Sequence, residues 1–471
     1  MEGFKNALET FKWAAANIPA YRSFLKRNKI NSAEIKTSGD FKLVPVMDKI
    51  NYLRAYPYDN LFPNRDIPPV VSMSSGSSGQ PFYWARGMEH EKRGGEIHEI
   101  IFRDIFQIGK KNTLVIVCFS MGTWIAGVFT ATSSKYVANN GYNLTVATPG
   151  IEKEDILSLL RDFAPNFQRV ILTGYPPFLM DVIVEARRRK INLKKMDLRL
   201  LFAGESFSEH WRSIIHKLAY IKKPIGGSIN VYGSADADLL GHETPLSIYL
   251  RKKTLTNKKF MKTLFGDIPF VPTLVQYYPR DKFFESADGE LIFTAKSGIP
   301  LMRYNIHDKG KILTIKSVEK ALKESGLLKE AKKYGLKRWR MPFLTLGGRS
   351  DVAVTFYALN IYPENIKAGL EDRKVAKYLS GKFIAENKTV NRGKDQKLII
   401  TVELRQGVRP SKKLETKLRE SIFRNFVKLN IEYRKLYASI GTKALPVVNL
   451  MSFGNPIFEV RKSKHKWIKR S

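Results

Sequence analysis

Between residues 113 and 232 short β-branched apolar runs take turns with helical segments, and no other feature of the sequence narrows the fold as much. Thr113–Phe119 (TLVIVCF) has the uninterrupted apolar pattern of a buried strand. Glu152–Phe163 (EKEDILSLLRDF) places Ile156, Leu159, Leu160 and Phe163 on one helical face, and Gln168–Thr173 follows as a strand. The pattern then predicts helix over Phe178–Arg189, strand over Leu198–Ala203, helix over Ser208–Leu218 and strand over Ser228–Tyr232. Alternation of this kind predicts an α/β fold with parallel strands and crossover helices. In such sheets ligands sit beyond the carboxyl ends of the strands, so the loops that follow them are where chemistry is expected.

After Gly289–Thr294 the pattern changes to β-rich segments separated by a Lys/Leu helix over Ser317–Tyr334. Gly347-Gly348-Arg349-Ser350-Asp351 interrupts the chain, and strand Lys397–Leu404 and helix Lys412–Leu429 come after it. The expectation is a large N-terminal unit over 1–349 with mixed and parallel sheets, and a small mobile α+β unit over 350–471.

The chain carries 80 Lys+Arg against 44 Asp+Glu, a formal net charge of +36. From residue 351 onward the balance is 26 against 11, and the end reads Arg461-Lys-Ser-Lys-His-Lys-Trp-Ile-Lys-Arg470. Such a surface attracts nucleic acid, anionic membranes, acidic proteins or phosphorylated small molecules. Nucleic acid is disfavoured, because only Trp467 is interleaved with the basic tail and base stacking needs more aromatics. The lone Cys118 leaves no disulfide framework or multi-cysteine zinc site and suits a reducing compartment, the cytoplasm. Met1–Ala20 is charged and lacks the apolar centre of a signal peptide. The uncharged stretch between Lys111 and Lys135 is long enough for a bilayer, yet Ser120, Gly122, Thr123, Gly127 and Thr130 break it. A buried strand leading into a tightly packed helix is expected there, and no transmembrane segment.

Val70–Pro81 reads VVSMSSGSSGQP. Small hydroxyl residues and glycine let backbone N–H and side-chain O–H groups converge on an anion, so a phosphate cradle is one reading and a plain flexible linker the other. The segment lacks the Gly-Lys-Ser/Thr ending of a Walker loop. Four more segments follow in order: Ala203-Gly-Glu-Ser206, Val231-Tyr-Gly-Ser-Ala-Asp236, Arg303-Tyr-Asn-Ile-His-Asp308, and Gly348-Arg-Ser-Asp-Val352 running to Asn360-Ile-Tyr-Pro363. Taken singly, Tyr232 reads as a core aromatic, Asp308 as a turn residue and Arg349 as a surface ion pair. With the five segments in this order, over almost the whole chain, the sequence resembles the adenylate-forming (AMP-binding) superfamily and, within it, the phenylacetate–CoA ligase-like branch.

The resemblance implies a mobile phosphate loop at Ser74, Ser75, Gly76, Ser77, Ser78 and Gly79, with Ser75, Ser77 and Ser78 on the β- and γ-phosphates of ATP. Gln80 stands where members of the family often have lysine. Gly204, Glu205 and Ser206 match the loop along adenine, Tyr232 the residue that stacks on it, and Gly233 and Ser234 continue that motif. Asp236 matches the magnesium ligand, one methylene shorter than the usual glutamate, and Ala235 replaces the usual threonine. Glu243 is a second candidate metal carboxylate, or a structural one. Asp308 matches the carboxylate that grips both ribose hydroxyls, as an acceptor-only group facing two donors would. Arg349 matches the nucleotide-contacting arginine and Asp351 the hinge. In the register of the family's C-terminal lysine stands Arg461, followed by Lys462, and these two are the candidate catalytic cations. Arginine keeps the charge without the compact geometry of an ammonium.

The implied reaction is attack of a carboxylate on the α-phosphorus of ATP, giving acyl-adenylate and pyrophosphate, and then acyl transfer to coenzyme A. Both reactants are anions, so magnesium, the serine-loop donors and a C-terminal cation would have to supply positive charge where negative charge builds. The partner expected is a small carboxylic acid. Phe119, Met121, Trp124, Phe129, Tyr175 and Phe178 are the candidate lining of its pocket, with core packing as the alternative. An acidic acyl carrier protein or an amine is the alternative acceptor, and a catalytically degenerate nucleotide-binding protein the alternative of another class.

Overall fold

The computed structural model of the protein describes residues 2–73, 82–268, 270–349, 354–357, 359–390, 395–458 and 468. Strands are numbered along the chain: β1 (Val70–Met73), β2 (Tyr83–Arg86), β3 (Thr113–Cys118), β4 (Leu144–Ala147), β5 (Arg169–Gly174), β6 (Leu198–Ala203), β7 (Ser228–Ser234), β8 (Asp238–His242), β9 (Thr273–Gln276), β10 (Lys282–Ala287), β11 (Glu290–Ala295), β12 (Leu301–Leu313) and β13 (Phe343–Arg349). Among the described residues β3 to β13 form one eleven-stranded sheet in the order β10-β11-β12-β13-β9-β8-β7-β6-β5-β3-β4. The run from β4 through β7 is parallel, as the helix–strand alternation predicts. From β7 to β10 each neighbour is antiparallel.

Every residue of β3 and β5 is buried. Their alternate side chains enter two cores, Val115, Val117 and Ile171 on one face and Leu114, Ile116, Val170 and Leu172 on the other. Burial on both faces explains why these strands read as continuous apolar runs rather than alternating ones. Helix Ile125–Asn139 follows β3, Pro176–Arg188 follows β5 and Glu209–Leu218 follows β6. The uncharged stretch after Lys111 is therefore a strand and a packed helix. Gly127 of that helix sits where a Cβ would fall 2.2 Å from the Ser120 carbonyl. Among the described residues no helix is long and apolar enough to cross a membrane.

Two elements differ from expectation. Regular α-helix covers only Lys153–Ser158 before a π-turn over Leu159–Phe163, which leaves Phe163 exposed and buries Leu157 instead. The extra residue in a π-turn rotates the face that follows it. The helix expected over Ser317–Tyr334 is two, Ile315–Glu324 and Leu328–Lys333, separated at Gly326, whose φ of +69° ends the first.

The C-terminal part has its own strands, β14 (Val354–Phe356), β15 (Leu359–Ile361), β16 (Leu379–Val390), β17 (Asp395–Leu404) and β18 (Val447–Met451). β16 and β17 pair antiparallel and β18 joins β17 in parallel. Helix Lys412–Leu429 contributes Leu418, Ile422 and Phe426 to a core shared with Leu398, Ile400 and Val402. All buried members of that core lie between Val354 and Val448, separate from the cores of the large sheet.

Candidate active site

At the carboxyl edge of the large sheet the motif residues meet. Tyr232, at the end of β7, donates its hydroxyl to Asp308 Oδ2 at 2.5 Å, joining two motifs 76 residues apart. Asp308 lies on β12 opposite Arg349 of β13, and the register shift between Asp308 and Gly310 is a β-bulge that re-aims the carboxylate. The Arg349 side chain is outside the described atoms. Beside them Glu205 and Ser206 leave the end of β6 through Gly204, whose φ of +90° suits glycine. Asn230 of β7 donates its side-chain amide to the Glu205 carbonyl at 3.1 Å and so holds the β6 loop against the strand that carries Tyr232. The Tyr175 hydroxyl donates to Glu205 Oε2 at 3.3 Å from the end of β5.

Asp236 is buried in the β7–β8 turn, where its Oδ2 accepts from the Tyr304 hydroxyl at 2.7 Å and lies 3.5 Å from Lys49 Nζ. Ser234 Oγ closes the turn by accepting from Ala237 N at 3.3 Å, and a Cβ on Gly233 would fall 2.6 Å from the Asp238 carbonyl. Among the described residues no three acidic, histidine or cysteine side chains are grouped to hold a resident metal. One carboxylate fits a magnesium ion that keeps its waters and arrives on nucleotide phosphates.

Glu243 has a different place. It is fully buried; Arg212 Nη2 donates to both of its oxygens at 2.7 and 2.8 Å, Arg251 Nη1 to Oε1 at 2.9 Å and the Asn230 backbone N–H to Oε2 at 2.9 Å. Glu209 completes the group, accepting from Arg212 Nε at 3.0 Å and Arg251 Nη1 at 2.9 Å. With its oxygens engaged by two guanidiniums and a backbone amide, Glu243 anchors β7, an arrangement that favours the structural one of its two readings. Arg251 also donates to the Phe207 carbonyl at 2.8 Å, so the same group fixes the chain just after Ser206.

The serine-rich segment from Ser74 to Gly79, the hinge residue Asp351 and the basic pair Arg461 and Lys462 lie outside the described residues. The strands that flank the serine-rich segment are anchored: Arg86 of β2, itself buried, donates to Ser72 Oγ of β1 at 2.8 Å and to Glu91 at 2.5 Å, and lies 3.9 Å from Asp238 beside the Asp236 turn. Of the six residues expected to line one acid pocket, Trp124 bridges to Met73 of β1 and the other five pack into two cores. Phe119, Met121 and Phe129 pack into one core of the sheet and Tyr175 and Phe178 into the other. Sequence reasoning missed Lys49, Tyr304, Arg212, Arg251 and Lys367. The visible hint was Glu209-x-x-Arg212, two charges on the buried face of an amphipathic helix beside Trp211 and Ile215.

Lys367 belongs to the C-terminal part. It lies in helix Pro363–Leu370, pairs with Glu205 Oε1, and has its Nζ 3.4 Å from the Ser206 carbonyl. Tyr362, at the N-cap of that helix, is joined to Lys309 of β12 at 3.1 Å. The helix and its N-cap thus touch the loop after β6 and strand β12 together.

No family model matches the chain. A phenylacetate–coenzyme A ligase of Aromatoleum evansii is 22% identical over 370 residues, covering 76% of this chain and 73% of that protein. Among solved structures, a 2-hydroxyisobutyryl-CoA ligase in the postadenylation state superposes with a TM-score of 0.69 at 15% identity, covering 100% of this chain and 89% of that one. The same ligase in its thioesterification state gives 0.55 at 16% identity, covering 99% of this chain and 88% of that one. The fold is therefore that of the adenylate-forming CoA ligases, and the chain is arranged more like the first of these two states.

Proposed function

We propose that this chain, with the fold of the adenylate-forming CoA ligases and a sequence similar to their phenylacetate-activating branch, is an AMP-forming acid–CoA ligase. The observation that carries the reading is the Tyr232–Asp308 hydrogen bond at the mouth of the sheet, flanked by the Glu205 loop and the buried Asp236. A flat aromatic, an adjacent loop of backbone groups and an acceptor-only carboxylate suit an adenine and the two hydroxyl donors of its ribose. Asp236 would receive the magnesium that enters with ATP, in a position held by Tyr304 and next to the Lys49 ammonium.

In the first step a substrate carboxylate oxygen bonds to the α-phosphorus and pyrophosphate leaves with the electrons of the broken P–O bond. In the second a thiol sulfur attacks the acyl carbon and AMP leaves. Ser74 to Gly79 and the Arg461–Lys462 pair are assigned to the phosphates in the first step, Gly204 to Ser206, Tyr232 to Ser234, Asp308 and Arg349 to the nucleoside. The small unit, rich in Lys and Arg, faces the phosphates of coenzyme A in the second step, and its hinge lies near residue 350. A cytoplasmic setting fits the single, buried Cys118.

Acid-dependent exchange of labelled pyrophosphate into ATP, measured across a panel of aliphatic and aromatic acids, tests the first step. A null result over the whole panel would favour a silent nucleotide binder. Thioester formation with coenzyme A, set against an acyl carrier protein and an amine, tests the acceptor: adenylation without CoA-dependent product would overturn that part.

A further inference from the structure

Helix Pro363–Leu370 brings a third carboxylate to a place that already holds two. Glu364, in its first turn, packs behind Gly348 so closely that a Cβ on that glycine would fall 2.4 Å from the Glu364 carboxyl carbon. Among the described residues its Oε2 is buried without a hydrogen-bond partner. Glu205 faces it from the loop after β6 and Asp308 from β12, and on its own helix Lys367 is the facing cation. Lys309 of β12 is nearby, joined to Tyr362. The Arg349 side chain, next to Gly348, is outside the described atoms. An ionised carboxylate is poorly served in that position: it would lose its water, gain no donor at Oε2, and stand beside two negative charges.

We infer that Glu364 is a positioning residue for the nucleotide site: the C-terminal part docks on the β6 loop and strand β12 with the Glu364 carboxyl neutral, so docking takes up a proton. Burial, and then the Glu205 and Asp308 charges, outweigh Lys367 and push the group up to about 7 when docked. Once undocked, it returns to the ordinary glutamate range near about 4.3. The sign follows. A group whose pKa is raised in the docked state favours docking at low pH. That contribution is complete below the undocked value and is lost as pH climbs to the docked one. The docking equilibrium should weaken about tenfold per pH unit between about 5 and 7, then level off. The inference rests on the nucleotide reading only for what the docked loops hold.

The test is the distance between the two parts, read by energy transfer between dyes on Leu255→Cys and Ile457→Cys, both exposed positions. Cys118, fully buried, takes no dye. Wild type should undock progressively from pH 5 to 7, whereas Glu364→Gln, isosteric and without charge, should remain docked to pH 8. A flat wild-type profile, or a Glu364→Gln profile that superimposes on wild type, overturns the inference; thermal melts of each variant separate undocking from unfolding. No ATP, acid or turnover enters the measurement, so an inactive enzyme would sink the functional proposal and leave this one standing.

Discussion

Asp308 and Tyr232 have a readable energetic hierarchy. A carboxylate that accepts from two ribose hydroxyls makes charge-assisted hydrogen bonds worth about 1.5–3 kcal/mol each, while the tyrosine hydroxyl orients it through one further bond. Asp308→Asn should therefore lower kcat/KM for ATP about 100-fold in pyrophosphate exchange. Tyr232→Phe, which keeps the ring and loses only the hydroxyl, should lower it about fivefold; equal losses would mean that Asp308 acts only through this hydroxyl. Glu243 predicts a different phenotype. Truncation to Ala leaves Arg212 and Arg251 buried with one carboxylate between them, a loss of about 3–5 kcal/mol of stability. Its signature is a lower Tm with an unchanged magnesium requirement per folded molecule, and a raised magnesium requirement at unchanged Tm would restore the metal reading. The sequence made Tyr232 and Asp308 legible because each sits in a motif of fixed spacing, whereas Glu243 sits in Gly-His-Glu-Thr-Pro and its partners come from two helices that nothing local ties to it.

At the scale of elements, the parallel half of the sheet was legible because doubly buried strands and their covering helices have different periods, and β6 and helix Lys412–Leu429 have the bounds that their patterns predict. The antiparallel half was less so, since β12 runs thirteen residues, Leu301–Leu313, and contains a bulge that no hydrophobic alternation announces. That bulge follows directly on Asp308, the residue that accepts from Tyr232. Gly310 permits it: a Cβ there would fall 2.1 Å from the Thr345 carbonyl of β13. Gly310→Ala must push β12 off β13 just beyond Asp308, and we expect at least about a tenfold rise in KM for ATP, together with a loss of roughly 1–3 kcal/mol of stability. A rise in KM without any change in Tm would mean that the strand pair shifts freely; a fall in Tm with KM intact would mean that the bulge does not set the site.

For the whole molecule the question is what holds its two parts in the observed arrangement, since a chain of charge +36 gains little from bringing two basic surfaces together. Besides the 363–370 helix, a buried ion pair joins them: Lys382 of β16 pairs with Asp181 of helix Pro176–Arg188, with Glu403 of β17 3.6 Å away. Burial works to lower the Lys382 pKa, but the two carboxylates prevail and hold it above the ordinary lysine value. Asp181 is the only member of this trio contributed by the large sheet's side. Asp181→Asn therefore removes one link between the parts while Lys382 keeps Glu403 within its own unit. A charge-assisted bond of about 1.5–3 kcal/mol is then subtracted from docking and not from either core. The expected result is a docking equilibrium weaker by about 10- to 100-fold, seen as a larger radius of gyration in solution scattering, with Tm nearly unchanged. Unchanged scattering with a fallen Tm would place Asp181 among the groups that fold the large unit and leave docking to the 363–370 helix.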